Sequence, residues 1–291
     1  MFTMESVKQK SGILLIDKTI GPTSRQVVNA VSSLLHTKKV GHVGTLDPFA
    51  TGLLIVTVNH GTKIGSYLEA LNKTYVATIK LGEKTDTGDL TGQVVETKKL
   101  QKPLNFDEVA AILASFHGKR QQIPPMYSAL KRDGKPLYKY AREGIILDRE
   151  PRDIEVFAIS LLSLEHDKIT FQTVVSKGTY IRTLAEEIAE ALGSVGHLVS
   201  LRRTAIGDFQ VDDALKIEDA KYGNVVDILS ALSNLKQIEV NEQKAIDVKN
   251  GKSLVIKADD NLVLLIHNKL PLAIYEKRDD GLYYSRRGLF E

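Results

Sequence analysis

Apolar residues recur along this chain with two periods, one suited to strands and one to helices. Residues 12–18 (GILLIDK) form a short run with the character of a buried strand, closed by the turn signal Ile20-Gly21-Pro22. Thr23 or Ser24 then offers a cap for a helix whose Val27, Val28, Val31, Leu34 and Leu35 fall on one face. Residues 53–58 (LLIVTV) are apolar without alternation, as in a strand covered on both faces. Lys73–Leu81 alternates, with Tyr75, Ala77, Ile79 and Leu81 on one side, and the turn-rich TDTGDLTG behind it leads into a second strand, QVVET. Asn105 followed by Glu108 predicts a helix running through Phe116. Residues 152–176 predict two strands about His166-Asp167. KGTYIRTLAEEIAEALG predicts a helix with a stripe of Ile181, Leu184, Ile188 and Leu192, ended by Gly193. From about Gln237 the helical signal stops, and SLVIKA, LVLLIH, LAIYEK and GLYYS predict a small β module.

Strands and helices follow one another irregularly, with several hairpins. That order predicts an α/β (α+β) fold built on a mixed, mainly antiparallel sheet with flanking helices, rather than a doubly wound sheet. The 291 residues allow about two domains. We expect one unit over 1–236 and a second over 237–291. The absence of cysteine removes disulfides, thiolate metal sites and a cysteine nucleophile. It fits a reducing compartment, and a cytoplasmic location is expected. No apolar run approaches the ~20 residues of a membrane span, so no membrane partner is expected. The opening MFTMESVKQKSG lacks the apolar segment of a secretory signal.

Net charge is only +3, which by itself announces no polyanionic partner. Its distribution is uneven. Residues 119–152 hold nine basic and four acidic side chains, a local excess of five, with Pro124, Pro125, Pro136, Tyr127, Tyr138 and Tyr140 interleaved. Such a segment suits phosphate contact with stacking on bases or ribose; a solvated charged loop accounts for it equally well. Residues 237–291 balance nine basic against nine acidic residues.

One short stretch carries candidate chemistry. In GHVGTLDPFATGLL (41–54), three glycines, a proline and two threonines surround a lone carboxylate, Asp47, just before the apolar strand. Pro48 keeps Asp47 out of the α region, and the glycines permit close backbone approach. A carboxylate displayed in this way can act as nucleophile or general base, and an Asp-Pro turn explains the same residues.

That stretch resembles the signature of the TruB family of tRNA pseudouridine synthases. DKTIGPTS (17–24), NKTYVATIKLGEKTDTGD (72–89), IPPMYSALKRDGKPLYKYAREG (123–144), KGTYIRTLAEEIAEALG (177–193) and HLVSLRRTAIGDF (197–209) match in the family's order. The resemblance implies the pseudouridine synthase fold, with a basic RNA-clasping insertion at about 119–152 and a PUA-like C-terminal domain. It also implies isomerisation of uridine 55 in the tRNA T-loop to pseudouridine. The reaction breaks the N1–C1′ bond and rejoins the ring through C5 without net redox change, so no cofactor is required. No metal is expected either, and the seven histidines show no HExxH spacing.

By the same resemblance Asp47 is catalytic, and Arg182 pairs with it and holds it ionised. Tyr75 stacks on the base and is a candidate for handling the C5 proton; Tyr180 and Leu201 line the uracil pocket. His42 fills the gap left by the flipped base. Lys18 supports the site or a phosphate. Lys131, Arg132, Lys135 and Arg142 are expected on the RNA backbone. TDTGD (85–89) lacks the twelfth-position glutamate of an EF-hand and reads as a turn. The expected partner is the tRNA T-stem-loop, with the chain a monomer needing no protein partner. A non-catalytic RNA-binding or tRNA-folding module is the alternative. A glycoside hydrolase ranks behind both, since it wants two cooperating carboxylates.

Overall fold

The structure, a computed structural model, describes residues 10–100 and 102–290. Its main sheet runs, from one edge, through strands at 226–227, Gly12–Lys18, Thr51–Val58, Gly196–Ile206, Lys73–Leu81, Lys168–Val175, Arg152–Glu165 and Gly118–Gln122. Neighbours are antiparallel except where the 196–206 strand meets the 51–58 strand. These two run parallel, and only Arg202 and Arg203 pair, with Thr51 and Gly52. Beyond that contact they part, and a short strand, Val40–Val43, takes over the far half of the 51–58 strand. The loop 44–50 joins these last two strands and lies where the sheet opens.

Leu14, Ile16, Leu54 and Val56 face one layer, with the helices Ser24–Leu34, Phe106–Ala114 and Ile181–Ala191; Ile13, Leu15, Leu53 and Ile55 face the other. Burial on both faces is why these strands read as apolar runs rather than alternating patterns. Thr23 caps the first helix through a capping box with Gln26, and Asn105 caps the second. Leu34, expected on the buried face of the first helix, is exposed in its final turn. A hairpin does form around TDTGDLTG, but the partner of the 94–97 strand is a separate short strand, 83–85, rather than Lys73–Leu81, which lies inside the main sheet between the 168–175 and 196–206 strands. Periodicity alone does not reveal the 196–206 strand.

The C-terminal sheet orders strands Lys236–Glu239, Leu262–His267, Leu270–Lys277 and Tyr283–Gly288, the first pair parallel and the rest antiparallel. The expected all-β pattern needs two corrections. Glu242–Lys249 is a helix capped by Asn241, and it buries only Ala245 and Val248, too thin a stripe to read. Residues 253–258 (SLVIKA) contribute just a bridge from Leu254 to Tyr283, and Val255 is exposed. One face of this sheet packs Val263, Leu265, Tyr275 and Tyr283 against that helix. The other sends Leu264 and Ile274 into the layer beneath the main sheet. No helix among the described residues is long and apolar enough to cross a membrane.

Candidate active site

The loop bearing Asp47 is fixed from several sides. Ser24 Oγ donates to the Leu46 carbonyl (3.1 Å) and accepts from the Leu46 amide (2.9 Å). The Gly21 amide donates to the Pro48 carbonyl at 2.9 Å, and Ala50 closes a turn onto the Asp47 carbonyl at 3.1 Å. Lys18 lies fully inside the protein and donates to the carbonyls of Thr19 (2.9 Å) and Pro48 (3.3 Å). It thus holds the Pro48 carbonyl in place from inside the protein. Burial lowers its pKa to about 8, against the opposing pull of Asp47. Gly52 follows with φ +102°, and a Cβ there would stand 2.2 Å from the Arg203 carbonyl oxygen. Only glycine permits that contact between the two parallel strands.

Asp47 and Arg182 meet. Arg182 Nε lies 2.9 Å from Asp47 Oδ2, and Nη2 donates to Oδ1 at 3.4 Å. The guanidinium is spread further: Nη1 donates to the Thr87 carbonyl and Nη2 to the Tyr127 carbonyl, both at 2.7 Å. Asp89 Oδ2 stands 3.9 Å from the same Arg182 Nε. The Arg182 side chain is 6% exposed and that of Asp47 33%, so the pair is open to solvent on the carboxylate side alone. Desolvation raises the Asp47 pKa; Arg182 pulls it back, and Asp89 adds to the rise. Arg182 acts in the expected direction, but burial outweighs it.

A second buried cation organises the other half of the site. Arg203 is 1% exposed and has no carboxylate within ion-pair distance among the described residues. Its Nε donates to the Leu53 carbonyl (2.8 Å), Nη2 to the Gly44 carbonyl (2.9 Å) and Nη1 to the Tyr75 hydroxyl (3.5 Å). It thereby ties both flanks of the Asp47 loop to Tyr75, which pairs with it across the strands. Leu201, opposite Ala77, shares the Tyr75 core. His42 lies half-buried on the 40–43 strand; its Nδ1 is buried without a partner, and desolvation lowers its pKa. Tyr180 is half-buried immediately ahead of the Arg182 helix.

The basic excursion comprises a hairpin at 131–136 and a helix, Leu137–Arg142. Lys131 and Arg132 are exposed; Arg132 donates to the Asp148 carbonyl at 2.6 Å. Lys135 is already engaged, paired with Glu143 and 4.3 Å over the Tyr140 ring; Arg142 lies 5.4 Å from the Tyr138 ring. In the turn 86–92, Asp89 Oδ1 accepts from Thr87, from the Thr91 hydroxyl and from the Thr91 amide. These local bonds occupy the carboxylates as an ordinary turn does, and no cluster able to hold a metal ion occurs among the described residues.

Sequence reasoning missed Asp89, Arg203 and Gln122. Gln122 pairs its side-chain amide with the Tyr180 backbone. The only available signal was their position inside the matched blocks or, for Gln122, just before one.

A family model described as TruB family pseudouridylate synthase (N terminal domain) matches residues 32–181, and one for the tRNA pseudouridylate synthase B C-terminal domain matches 182–226. A protein of Geobacter sulfurreducens named tRNA pseudouridine synthase B is 47% identical over 80% of this chain and 79% of its own length. One of Psychrobacter cryohalolentis, of the same name, is 48% identical over 72% of this chain, but the match spans only 59% of that relative. Among solved structures, the Cbf5-Nop10-Gar1 complex gives a TM-score of 0.70 at 26% identity, over 91% of this chain and 78% of that one. An H/ACA RNP bound to a substrate RNA containing 2′-deoxyuridine gives 0.72 at 22% identity, over 96% and 85%; at that identity it speaks for the fold alone. With the matches reaching from residue 32 to 226 and relatives near half identical, the chain belongs to the TruB family of pseudouridylate synthases.

Proposed function

We propose that this protein converts uridine to pseudouridine in the T-loop of tRNA, at position 55, in the cytoplasm, as a monomer and without a cofactor. The observation that carries this is the Asp47 carboxylate, fixed by Arg182 at 2.9 Å and open to solvent on one side. A tRNA-binding module without turnover has no use for an acid held in that way, since an anionic ligand is repelled by it.

In the proposed reaction the N1–C1′ bond breaks, the uracil turns, C1′ bonds to C5, and the C5 proton leaves while N1 gains one. Attack of Asp47 at C1′, its addition at C6, or its removal of a proton on the way to a glycal all begin from the ionised acid. Arg182 supplies the charge that keeps this form available inside protein. Tyr75 stacks on the flipped base and is the candidate for handling the C5 proton, its phenol oxygen taking that proton up only as its own O–H proton passes on, with Arg203 donating to the hydroxyl. Leu201 and Tyr180 wall the ring from water, which strengthens the Asp47–Arg182 interaction. His42 fills the place the uridine leaves, offsetting part of the few kcal/mol of unstacking. The excursion 119–152 holds the T-arm through Lys131, Arg132, Lys135 and Arg142, and residues 237–291 act as a PUA-like domain beside a catalytic unit at 1–236.

Tritium release from a T-arm stem–loop labelled at uridine C5 tests the reaction. Wild type releases tritium. Asp47→Asn releases none while binding the RNA within about tenfold of wild type, a difference of ~1.4 kcal/mol. Tight binding with no release from wild type would mean a binding module instead.

A further inference from the structure

The helix that carries Arg182 starts without help from its own sequence. Tyr180 occupies the cap position and supplies no side-chain hydrogen bond to the first turn. A residue from a distant strand holds that start instead. Gln122 Oε1 accepts from the Tyr180 amide at 2.8 Å, and Gln122 Nε2 donates to the Tyr180 carbonyl at 3.0 Å. Gln122 is 2% exposed, so neither bond is exchanged for water, and turning the amide over would set donor against donor.

The chain leaving Gln122 makes a second attachment to the same helix. Pro124 and Pro125, each with a restricted φ, lead to Tyr127, whose carbonyl accepts Arg182 Nη2 at 2.7 Å. Arg149, on the returning limb of the excursion, donates to the Pro124 carbonyl at 3.2 Å. Residues 122–127 therefore grip the Arg182 helix at its first backbone unit and at the guanidinium itself. A short strap with two fixed ends restricts where Arg182 can place its remaining donors, and those donors face Asp47.

We propose that Gln122 is a positioning residue for the isomerisation, holding the start of the 181–191 helix so that Arg182 keeps its Nε on Asp47. It acts through Tyr180 and Arg182 and touches no substrate. The inference rests on the assignment of Asp47 as the catalytic acid. The charged groups that face Asp47 are Arg182 from this helix, Asp89 from the 86–92 turn and Lys18 from the first strand. Of these, only Arg182 is held by the strap.

Gln122→Met conserves chain length and volume and removes both bonds. The Asp47 carboxyl is titrated by 13C NMR in full-length protein, its signal assigned by its loss in Asp47→Asn, and tritium release is measured in parallel. In Gln122→Met the Asp47 midpoint moves up by about half a unit or more, since the stabilising cation is loosened. Release slows about tenfold at saturating RNA while KM stays within about threefold. A Gln122→Met, Arg182→Lys double variant is no slower than Arg182→Lys alone, because both act on one contact. An unmoved midpoint, or losses that multiply in the double variant, overturns the proposal. Gln122→Asn, which keeps the amide but draws it back by one methylene, gives the same readings if the methionine variant does not fold. Absence of release from wild type would instead count against the assignment of Asp47, and the titration distinguishes the two failures.

Discussion

At the scale of single residues, Asp47 sits between opposed influences: desolvation and Asp89 raise its pKa, while Arg182 and Lys18 lower it. In the proposed reaction the acid works ionised, so activity is expected to fall as pH drops through a midpoint above the ordinary aspartate value, and the acid limb of kcat/KM reports it. Asp89→Asn removes a like charge and moves that limb to lower pH; a limb that stays or rises contradicts this electrostatic arrangement. Arg203 presents a different case, a buried guanidinium satisfied by two carbonyls and a phenol oxygen. Arg203→Met leaves the Leu53 and Gly44 carbonyls without partners in the interior. Urea unfolding is expected to register a loss of about 2–3 kcal/mol, accompanied by slowed tritium release. Asp47 was legible through the family pattern, since the glycines and proline that mark its loop fit an ordinary Asp-Pro turn as well. Asp89 and Arg203 were not, since their importance lies in partners brought near by folding.

At the scale of elements, the 181–191 helix and the 73–81 strand announce themselves because each buries one side and keeps a single period. The 196–206 strand does not. Arg202 and Arg203 interrupt its apolar pattern, one pairing with Asp17 at 2.8 Å on the exposed side and the other entering the core. The excursion 119–152 is legible by charge, but charge alone does not say which cations are free. Lys135 is occupied by Glu143 and Tyr140, whereas Lys131 and Arg132 are exposed, Arg132 with one donor on the Asp148 carbonyl. Neutralising Lys131 and Arg132 together is expected to weaken T-arm binding and to flatten its log–log salt dependence by about one unit for each phosphate that the protein no longer neutralises. An unchanged slope in a titration across salt concentrations removes this hairpin from the RNA surface.

At the scale of the whole molecule, the C-terminal sheet shares a core with the main sheet. Leu264 and Ile274 belong to one apolar cluster with Ile13, Leu15, Leu53 and Ile55, and Lys63 donates to the Phe290 carbonyl at 3.0 Å. The strand that follows the Asp47 loop and the C-terminal strands are therefore stabilised together. Ile274→Ala leaves a cavity in that shared layer and is expected to cost about 2–5 kcal/mol. Fluorescence and circular dichroism should then report one coincident unfolding transition at lower denaturant. Two separated transitions would mean that the sheets unfold independently.

What the sequence determined by itself was local: periods of two and 3.6, capping residues, turn glycines, and a family pattern that singled out Asp47 and its attendants. These survive reading in one dimension because each depends on neighbours a few positions away. The opening between two briefly parallel strands, the reach of Arg203 to both flanks of the Asp47 loop, the grip of Gln122 on Tyr180 and the shared layer beneath the C-terminal sheet were decided only by tertiary structure. Each of those depends on groups far apart in the chain, whose meeting reflects how whole layers pack, and no local pattern encodes that distance.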